Sequence, residues 1–418
     1  MPTLHAMADT AGIEGTATEG RTDSPVIAFL QPIVSVRQQS IRMVEALARS
    51  RDGHGNLLTP AALFGRADAI GRRAELERAC RLAGLDAYRK VVHPAFEPVL
   101  SLNADTSLVL AGARGAEVLA SDAADRGVAP SSIAIEILES AFSDSRELER
   151  FCRAARALGF LLALDDVGTG HSNLERIPRL EPDILKIDRT LVENMSTSYH
   201  RREVFRALLA LSHQIGAVVI AEGVEHEEDV LTGLSLGCDL FQGFYFGAPR
   251  DPGDGGALHD QERVLQMGRK LRQQAISRLN DRRVRQRNNE LVLASLVERM
   301  RPLHEPEFEA ALLDAVERES FVEALYVLDE HGLQVTETAY RTPPAERRRT
   351  LFRPAPRGAD QSLKHYFLML DAGLEKFTSD PYISSASGSY CITMSRYFGN
   401  ILGRRYVLCC DIVVPSAT

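Results

Sequence analysis

The chain of 418 residues is 44% hydrophobic and 25% charged, with a formal charge of -8. This balance excludes a wholly disordered chain, a collagen-like fibre, a small disulfide scaffold and a broadly basic nucleic-acid binder, and the length predicts two or three domains. Trp is absent and aromatics are 6%, so aliphatic side chains must build the cores.

Residues 1–24, rich in Ala, Thr, Gly, Asp and Glu, read as a flexible tail without the basic-then-apolar pattern of a signal peptide. From Val26 short apolar runs recur: VIAFLQPIV, MVEALA, VLSLN, IAIEIL, LLALDD, ILKID, AVVIAEG and LFQGFYF. Amphipathic stretches at 72–89, 112–126, 145–158, 200–215 and 227–236 lie between them. Strands alternating with helices predict a parallel α/β fold. The runs are continuous, as in strands buried on both faces. Eight such units in roughly 225 residues suit a (β/α)8 barrel, with an open doubly wound sheet as the structural rival.

Pro249 and then Asp251-Pro252-Gly253-Asp254-Gly255-Gly256 signal a linker. Residues 257–300 read as one long helix, and its segment 269–287 carries eight Lys/Arg against the single acid Asp281. A heptad begun at Val264 and Met267 puts Gln274 and Arg278 at core positions, so a strict coiled coil fails. A solvated connecting helix, or a signalling helix at a dimer interface, is left. No aromatics interleave with the charges, and no DNA partner is expected.

Residues 301–418 read as a small α+β domain. LYVLDEHGLQV predicts a hairpin around 329–332, SLKHYFLML a helix, SDPYISSASGSYCITMSR a loop and strand, and YVLCCDIVV a last strand. The six cysteines form no C-x-x-C pair, so neither a zinc site nor a disulfide framework is expected, and a cytoplasmic location fits. No apolar run approaches the ~18 residues of a membrane helix, so no membrane partner is expected.

Polar residues stand at or near the C-terminal ends of the barrel runs: Glu45, Asn103, Glu136, Asp165 with Asp166, Lys186 with Asp188, Glu222, and Gln242 opening the last run. In a parallel barrel these ends converge on one face. One Asp at a strand end is ordinarily a cap or turn residue; seven successive ends are not explained that way. Converging carboxylates repel unless cations neutralise them. An oxygen-rich set with an Asn carbonyl suits Mg²⁺ or Mn²⁺ better than zinc.

In order and spacing, residues 25–250 resemble the EAL-domain cyclic di-GMP phosphodiesterases. The name motif stands as Glu45-Ala46-Leu47 with Arg49 after it. The other blocks are Ser101-Leu102-Asn103, Glu136-Ile137-Leu138-Glu139-Ser140, Asp165-Asp166-Val167-Gly168-Thr169-Gly170, Leu185-Lys186-Ile187-Asp188, Ala221-Glu222-Gly223-Val224-Glu225 and Gln242-Gly243. The resemblance implies a TIM-like barrel, a homodimer, hydrolysis of cyclic di-GMP to linear pGpG, and two divalent cations, Mg²⁺ or Mn²⁺. It implies Glu45, Asn103, Glu136, Asp165, Asp166 and Glu222 as metal ligands, and Glu222 and Lys186 as catalytic groups. Arg49, Gln31, Leu47, Asp188 and Gln242 would contact substrate, and Glu139 and Glu225 would anchor the loop 166–174.

The chain departs from the family pattern at Leu138 (commonly Thr), Val167 (Phe), His171-Ser172-Asn173 (Tyr-Ser-Ser) and His226 (Thr). None of these replaces a ligand; they touch the loop and its packing. The alternative is a silent domain that binds cyclic di-GMP and passes the signal on. Degenerate members of that kind usually lose ligands or the loop, which this chain keeps. An unrelated metal-dependent barrel hydrolase is the third reading. Residues 301–418 resemble PAS-like or Cache-like sensory domains. That likeness implies a small-molecule pocket, with Tyr366, Asp380, Tyr382 and Arg396 as candidate lining, and tuning of the barrel through 257–300.

Overall fold

The structure is a computed structural model, which describes residues 25–138, 146–168, 175–254, 258–259, 261–341 and 352–414. It divides into two compact units, Met1–Gln273 and Gln274–Thr418. The first unit contains β1 (Ile27–Ser35), β2 (Ser40–Arg51), β3 (Leu57–Leu58), β4 (Val99–Asn103), β5 (Ile133–Leu138), β6 (Leu161–Val167), β7 (Ile184–Ile187), β8 (Val218–Ala221) and β9 (Leu240–Gln242). Their order is β1-β9-β8-β7-β6-β5-β4-β2-β3, and an additional β1–β2 pairing closes eight of them into a barrel. The open-sheet rival is thereby excluded.

The parallel expectation fails at β1. Residues 36–39 alone join it to β2, and a parallel crossover needs a dozen or more. The two strands therefore pair antiparallel, from Ile27↔Arg49 to Ser35↔Ser40, and β1 is antiparallel to β9 as well. From β2 round to β9 the remaining barrel pairs are parallel. The expected helices appear as Arg73–Val91, Ala113–Ala124, Arg146–Ala157, Tyr199–Gln214 and Glu227–Leu236. Arg146–Ala157 shows why: Leu148, Phe151, Cys152 and Ala155 recur at helical spacing and are all buried. Outward strand residues such as Leu100, Ile135, Leu162, Leu185 and Val219 share one core with these helices.

The last apolar run stops early, so Gln242 ends its strand instead of opening it. At Gly243 a Cβ would stand 2.1 Å from the Val224 carbonyl oxygen, so only glycine fits. The Tyr245 N–H then donates to the same carbonyl at 3.0 Å, and the chain turns. The long helix spans Gln261–Met300. In the first unit it buries Val264 and Met267. Its basic residues from Arg269 to Arg287 are exposed, as a solvated helix requires. Among the described residues, no helix is long and apolar enough to cross a membrane.

The second unit holds β10 (Val322–Asp329), β11 (Ala339–Tyr340), β12 (Lys376–Thr378), β13 (Tyr382–Ile383), β14 (Tyr390–Gly399) and β15 (Arg405–Val413). They form an antiparallel sheet in the order β11-β10-β15-β14-β12, with β13 on β14. The expected hairpin is only partly formed. Residues 333–335 make an isolated bridge to β10, because their backbone is shared with the segment around 359–361. One sheet face packs Leu325, Val327, Met394, Phe398 and Leu408 with Leu293, Val297, Met300, Phe308 and Leu312. The other packs Tyr326, Leu328, Val407 and Cys409 with Tyr366, Phe367 and Leu370, from the helix His365–Asp371.

The four residues expected to line one sensory pocket are not gathered. Asp380 is exposed. Arg396 stands opposite Leu408 across the ladder, so it faces away from Tyr366, while Tyr382 reaches Thr393 on the Tyr366 face. Alternation along β14 enforces this separation. All six cysteines are free thiols.

Candidate active site

The barrel floor is apolar, and each of its strands contributes: Ile33, Met43, Val99, Ala134, Ala163, Ile184, Ile220 and Leu240. Side chains two residues apart share a strand face. Two residues beyond the floor, toward the C-terminal ends of the parallel strands, come Glu45, Ser101, Glu136, Asp165, Lys186, Glu222 and Gln242. On the antiparallel β1 the same step runs backward, from Ile33 to Gln31. Eight strands therefore raise a polar ring one pleat above an apolar floor.

Lys186 is the hub. Its Nζ lies 2.7 Å from Glu136, 2.7 Å from Glu222, 3.3 Å from Asp165 and 3.6 Å from Glu45. Ser101 Oγ donates to Glu136 Oε1 at 2.6 Å. Gln242 Nε2 donates to Glu45 Oε2 at 2.5 Å and to Gln31 Oε1 at 3.1 Å. Gln31 Nε2 in turn donates to the Gly247 carbonyl at 3.2 Å. Burial opposes the charge on Lys186, but Glu136, Glu45, Glu222 and Asp165 outweigh it and hold the ammonium above the usual lysine range. Burial drives Glu136 well above the carboxylate range. Glu222 is pushed up to about 8 by burial, against the pull of Lys186.

Neighbouring strand residues normally face opposite ways, yet Asp165 and Asp166 serve one site. The β6–β7 register shifts between Leu164 and Val167, and Asp166 takes a left-handed φ of 56°. Asp tolerates that region better than most residues. Asp165, Asp166 and Glu222 then offer oxygens within 4.8 Å of one another, a set able to hold a metal ion. Two further features fit cations. One ammonium cannot neutralise four carboxylates, and Glu136 Oε2 and Gln242 Oε1 are buried without a hydrogen-bond partner among the described residues. The donors are all oxygen, which suits hard ions.

A cavity of about 230 Å³ opens beside the ring, lined by Gln31, Asp188, Arg189, Glu222, Glu225, Gln242 and Phe244 among others. Asp188 caps the short helix Arg189–Val192, and Glu225 pairs with Arg189 at 2.7 Å. Leu47 and Asn103 line a second cavity of about 410 Å³, with Phe64 and Arg81. Asn103 is exposed and stands in register with Glu136. Arg49 donates to the Ala48 carbonyl at 2.8 Å and lies over the Phe29 ring, and burial lowers its pKa. Glu139 and His171 fall outside the described residues.

The sequence reading assigned no role to Ser101, Arg189 or Phe244. Ser101 was detectable as a hydroxyl inside an apolar strand, two residues before Asn103. Phe244, 63% exposed at the mouth of the cavity, looked like strand core because LFQGFYF read as one run.

Comparison with known proteins identifies the family of the barrel. The family model described as EAL domain matches residues 21–249. The cyclic di-GMP phosphodiesterase NbdA of Pseudomonas aeruginosa is 30% identical over 243 residues, covering 54% of this chain and 29% of NbdA. The cyclic di-GMP phosphodiesterase RocR of the same organism is 29% identical over 225 residues, covering 53% of this chain and 57% of RocR. The chain thus spans less than two thirds of either relative. The Bacillus subtilis YkuI protein, with an EAL domain and solved in complex with substrate cyclic di-GMP and calcium, is 21% identical. It shares the fold at a TM-score of 0.76, over 93% of this chain and 96% of YkuI.

Proposed function

We propose that the chain, which belongs to the EAL domain family, hydrolyses cyclic di-GMP to linear pGpG with the help of two divalent cations, Mg²⁺ or Mn²⁺. The observation that carries this reading is the polar ring, in which Glu45, Glu136, Asp165 and Glu222 surround Lys186 above an apolar floor. Hydrolysis forms a bond from water oxygen to phosphorus and breaks the bond from phosphorus to a ribose 3′ oxygen, which leaves with a proton.

Glu45, Asn103, Glu136, Asp165, Asp166 and Glu222 would hold the cations, which when bound supply Lewis-acid activation of water and neutralise phosphate charge. Lys186, kept protonated by its carboxylates, orients the attacking water and opposes the charge that develops on phosphate. Glu222, on the cavity side of the ring, is the group we assign to take the water's proton. Gln242 and Gln31 hold Glu45 in place by a chain of amide hydrogen bonds. Arg49 offers a planar fork to a phosphate. Asp188 and Leu47 border the substrate, and Phe244 presents a ring to a guanine. Glu225 holds Arg189 at 2.7 Å beside the cavity.

Chromatography of cyclic di-GMP incubated with the protein and Mg²⁺ or Mn²⁺ tests the reading. We expect pGpG from the wild type and none from Glu222→Ala. Tight binding without turnover in the wild type would make the domain a receptor instead.

We also propose that residues 25–250 form the catalytic domain and 301–418 a PAS-like or Cache-like sensory domain. The sensory domain tunes hydrolysis through 251–300, and the protein works as a cytoplasmic homodimer. An antiparallel sheet with helices on both faces supports the sensory assignment.

A further inference from the structure

One face of the second unit's sheet carries buried polar side chains beside its apolar cluster. Asp411 is 3% exposed, and Thr393 and Ser384 beside it are buried as deeply. Thr393 Oγ1 donates to Asp411 Oδ1 at 2.7 Å, Tyr382 meets Thr393 at 2.5 Å, and the Ser384 hydroxyl favours the charged form of Asp411. A second carboxylate reaches this face through a β-bulge. Val322 opposes Ile412 and Ala324 opposes Asp411, leaving Glu323 as the extra residue of β10. Bulges re-aim side chains, and the charge of Glu323 acts on Asp411 and Cys391, both on this face.

Glu323 is 5% exposed, and its Oε2 has no hydrogen-bond partner among the described residues. The cation that acts on Asp411, Lys364, is exposed and has less effect on it than Glu323 does. Two carboxylates are therefore buried together without a close positive partner among the described residues, an arrangement that costs heavily unless something neutralises it.

We propose, building on the sensory reading of this unit, that Glu323 and Asp411 with Thr393, Tyr382 and Ser384 bind the ammonium group of a small organic amine. An ammonium has three donors and no acceptor. Glu323 Oε2 and the second Asp411 oxygen accept two of its N–H bonds, and a hydroxyl oxygen accepts the third. The Tyr326 and Tyr366 rings, 6.2 Å apart on the same face, give the cation aromatic surface. Burial holds Asp411 at about 7, so an arriving cation meets a group it can draw into the charged state near neutrality.

Thermal unfolding of the full chain in ethylammonium chloride tests this, against NaCl at equal ionic strength, ethanol as the neutral isostere, and CaCl2. At about 20 mM, a concentration suited to a three-heavy-atom fragment, ethylammonium should raise the transition of the second unit by about 2–6 °C. Ethanol should not. Glu323→Gln and Asp411→Asn, both near-isosteric, should keep a sharp transition of the second unit and lose the shift. An absent shift in the wild type, or one that Glu323→Gln keeps, overturns the site. So does a shift produced by calcium alone. Cyclic di-GMP hydrolysis with and without ethylammonium separates the two layers of inference. A thermal shift without a change in rate upholds the amine site and refutes the sensory reading.

Discussion

Replacing Lys186 by Met takes the only ammonium out of the ring while keeping a long, buried side chain. At an effective dielectric of about 20, its contacts at 2.7 Å are worth roughly 6 kcal/mol each and those at 3.3 and 3.6 Å roughly 5. Desolvating one ammonium and four acids cancels most of that sum. What remains measurable is the cost of breaking a buried ion pair, about 3–5 kcal/mol. For a unit of this size the expected fall in melting temperature is ~6–20 °C.

The pH dependence gives a second readout. Without cations, the folded wild type holds Glu222 at about 8, against 4.5 for a free carboxyl. Between those values the folded state keeps a proton that the unfolded state has released, so its contribution to stability falls as pH rises. Losing Lys186 raises the folded values further. The deficit of Lys186→Met should therefore be large at pH 8 and shrink toward pH 5. Thermal and urea unfolding in excess chelator measures it, and Lys186→Met/Glu222→Gln should recover part of the loss. A variant that melts with the wild type at pH 8 would refute the electrostatic reading of the ring, as would a deficit indifferent to pH.

Three further outcomes follow from the same physics. Gly243→Ala forces a methyl group into the Val224 backbone beside Gln242, and a displacement of ~1 Å there should cut pGpG formation about 10²-fold. Arg81, buried between Asp105 and Asp122, meets Asp122 through Nε at 3.0 Å and Nη2 at 2.9 Å. Arg81→Ala should cost about 3–5 kcal/mol in urea unfolding, and Arg81→Lys should restore only part, since Lys lacks the fork. Asp411, at about 7 when folded against 3.8 free, keeps its proton across that window, so stability of the second unit falls as pH rises through it. Asp411→Asn should melt higher than the wild type at pH 8 and alongside it at pH 4.

Most of the barrel was legible because its two periods were clean. Buried parallel strands read as continuous apolar runs, and Leu148, Phe151, Cys152 and Ala155 spell one helix face. The ring was legible as polar residues at strand ends. What a one-dimensional reading lacked was the pleat register that ties each of them to a floor residue two positions away. Ser101 escaped for that reason. So did the reversal of β1, although the short 36–39 connection carried the information. Phe244 was lost to a backbone contact between Gly243 and Val224 that joins distant segments. In the second unit the ligand guess mixed both sheet faces at Arg396. The Glu323 bulge left no trace in composition, because a bulge is a property of pairing and not of residue type.

The antiparallel β1 also determines when the site comes into being. Leu30 exchanges backbone hydrogen bonds with Arg250, at 2.8 and 3.0 Å, and the hydrogen bond from the Gln242 amide to the Gln31 amide spans 211 residues of chain. These are among the most non-local contacts in the fold, and such contacts form slowly and late. As the chain emerges in synthesis, the first strand waits for the last before the barrel can close. A nascent or truncated chain can hold every acidic residue from Glu45 to Glu222 and still lack the seam that sets Glu45 in position. Catalytic competence would then arrive in one step, with closure, rather than accumulate strand by strand.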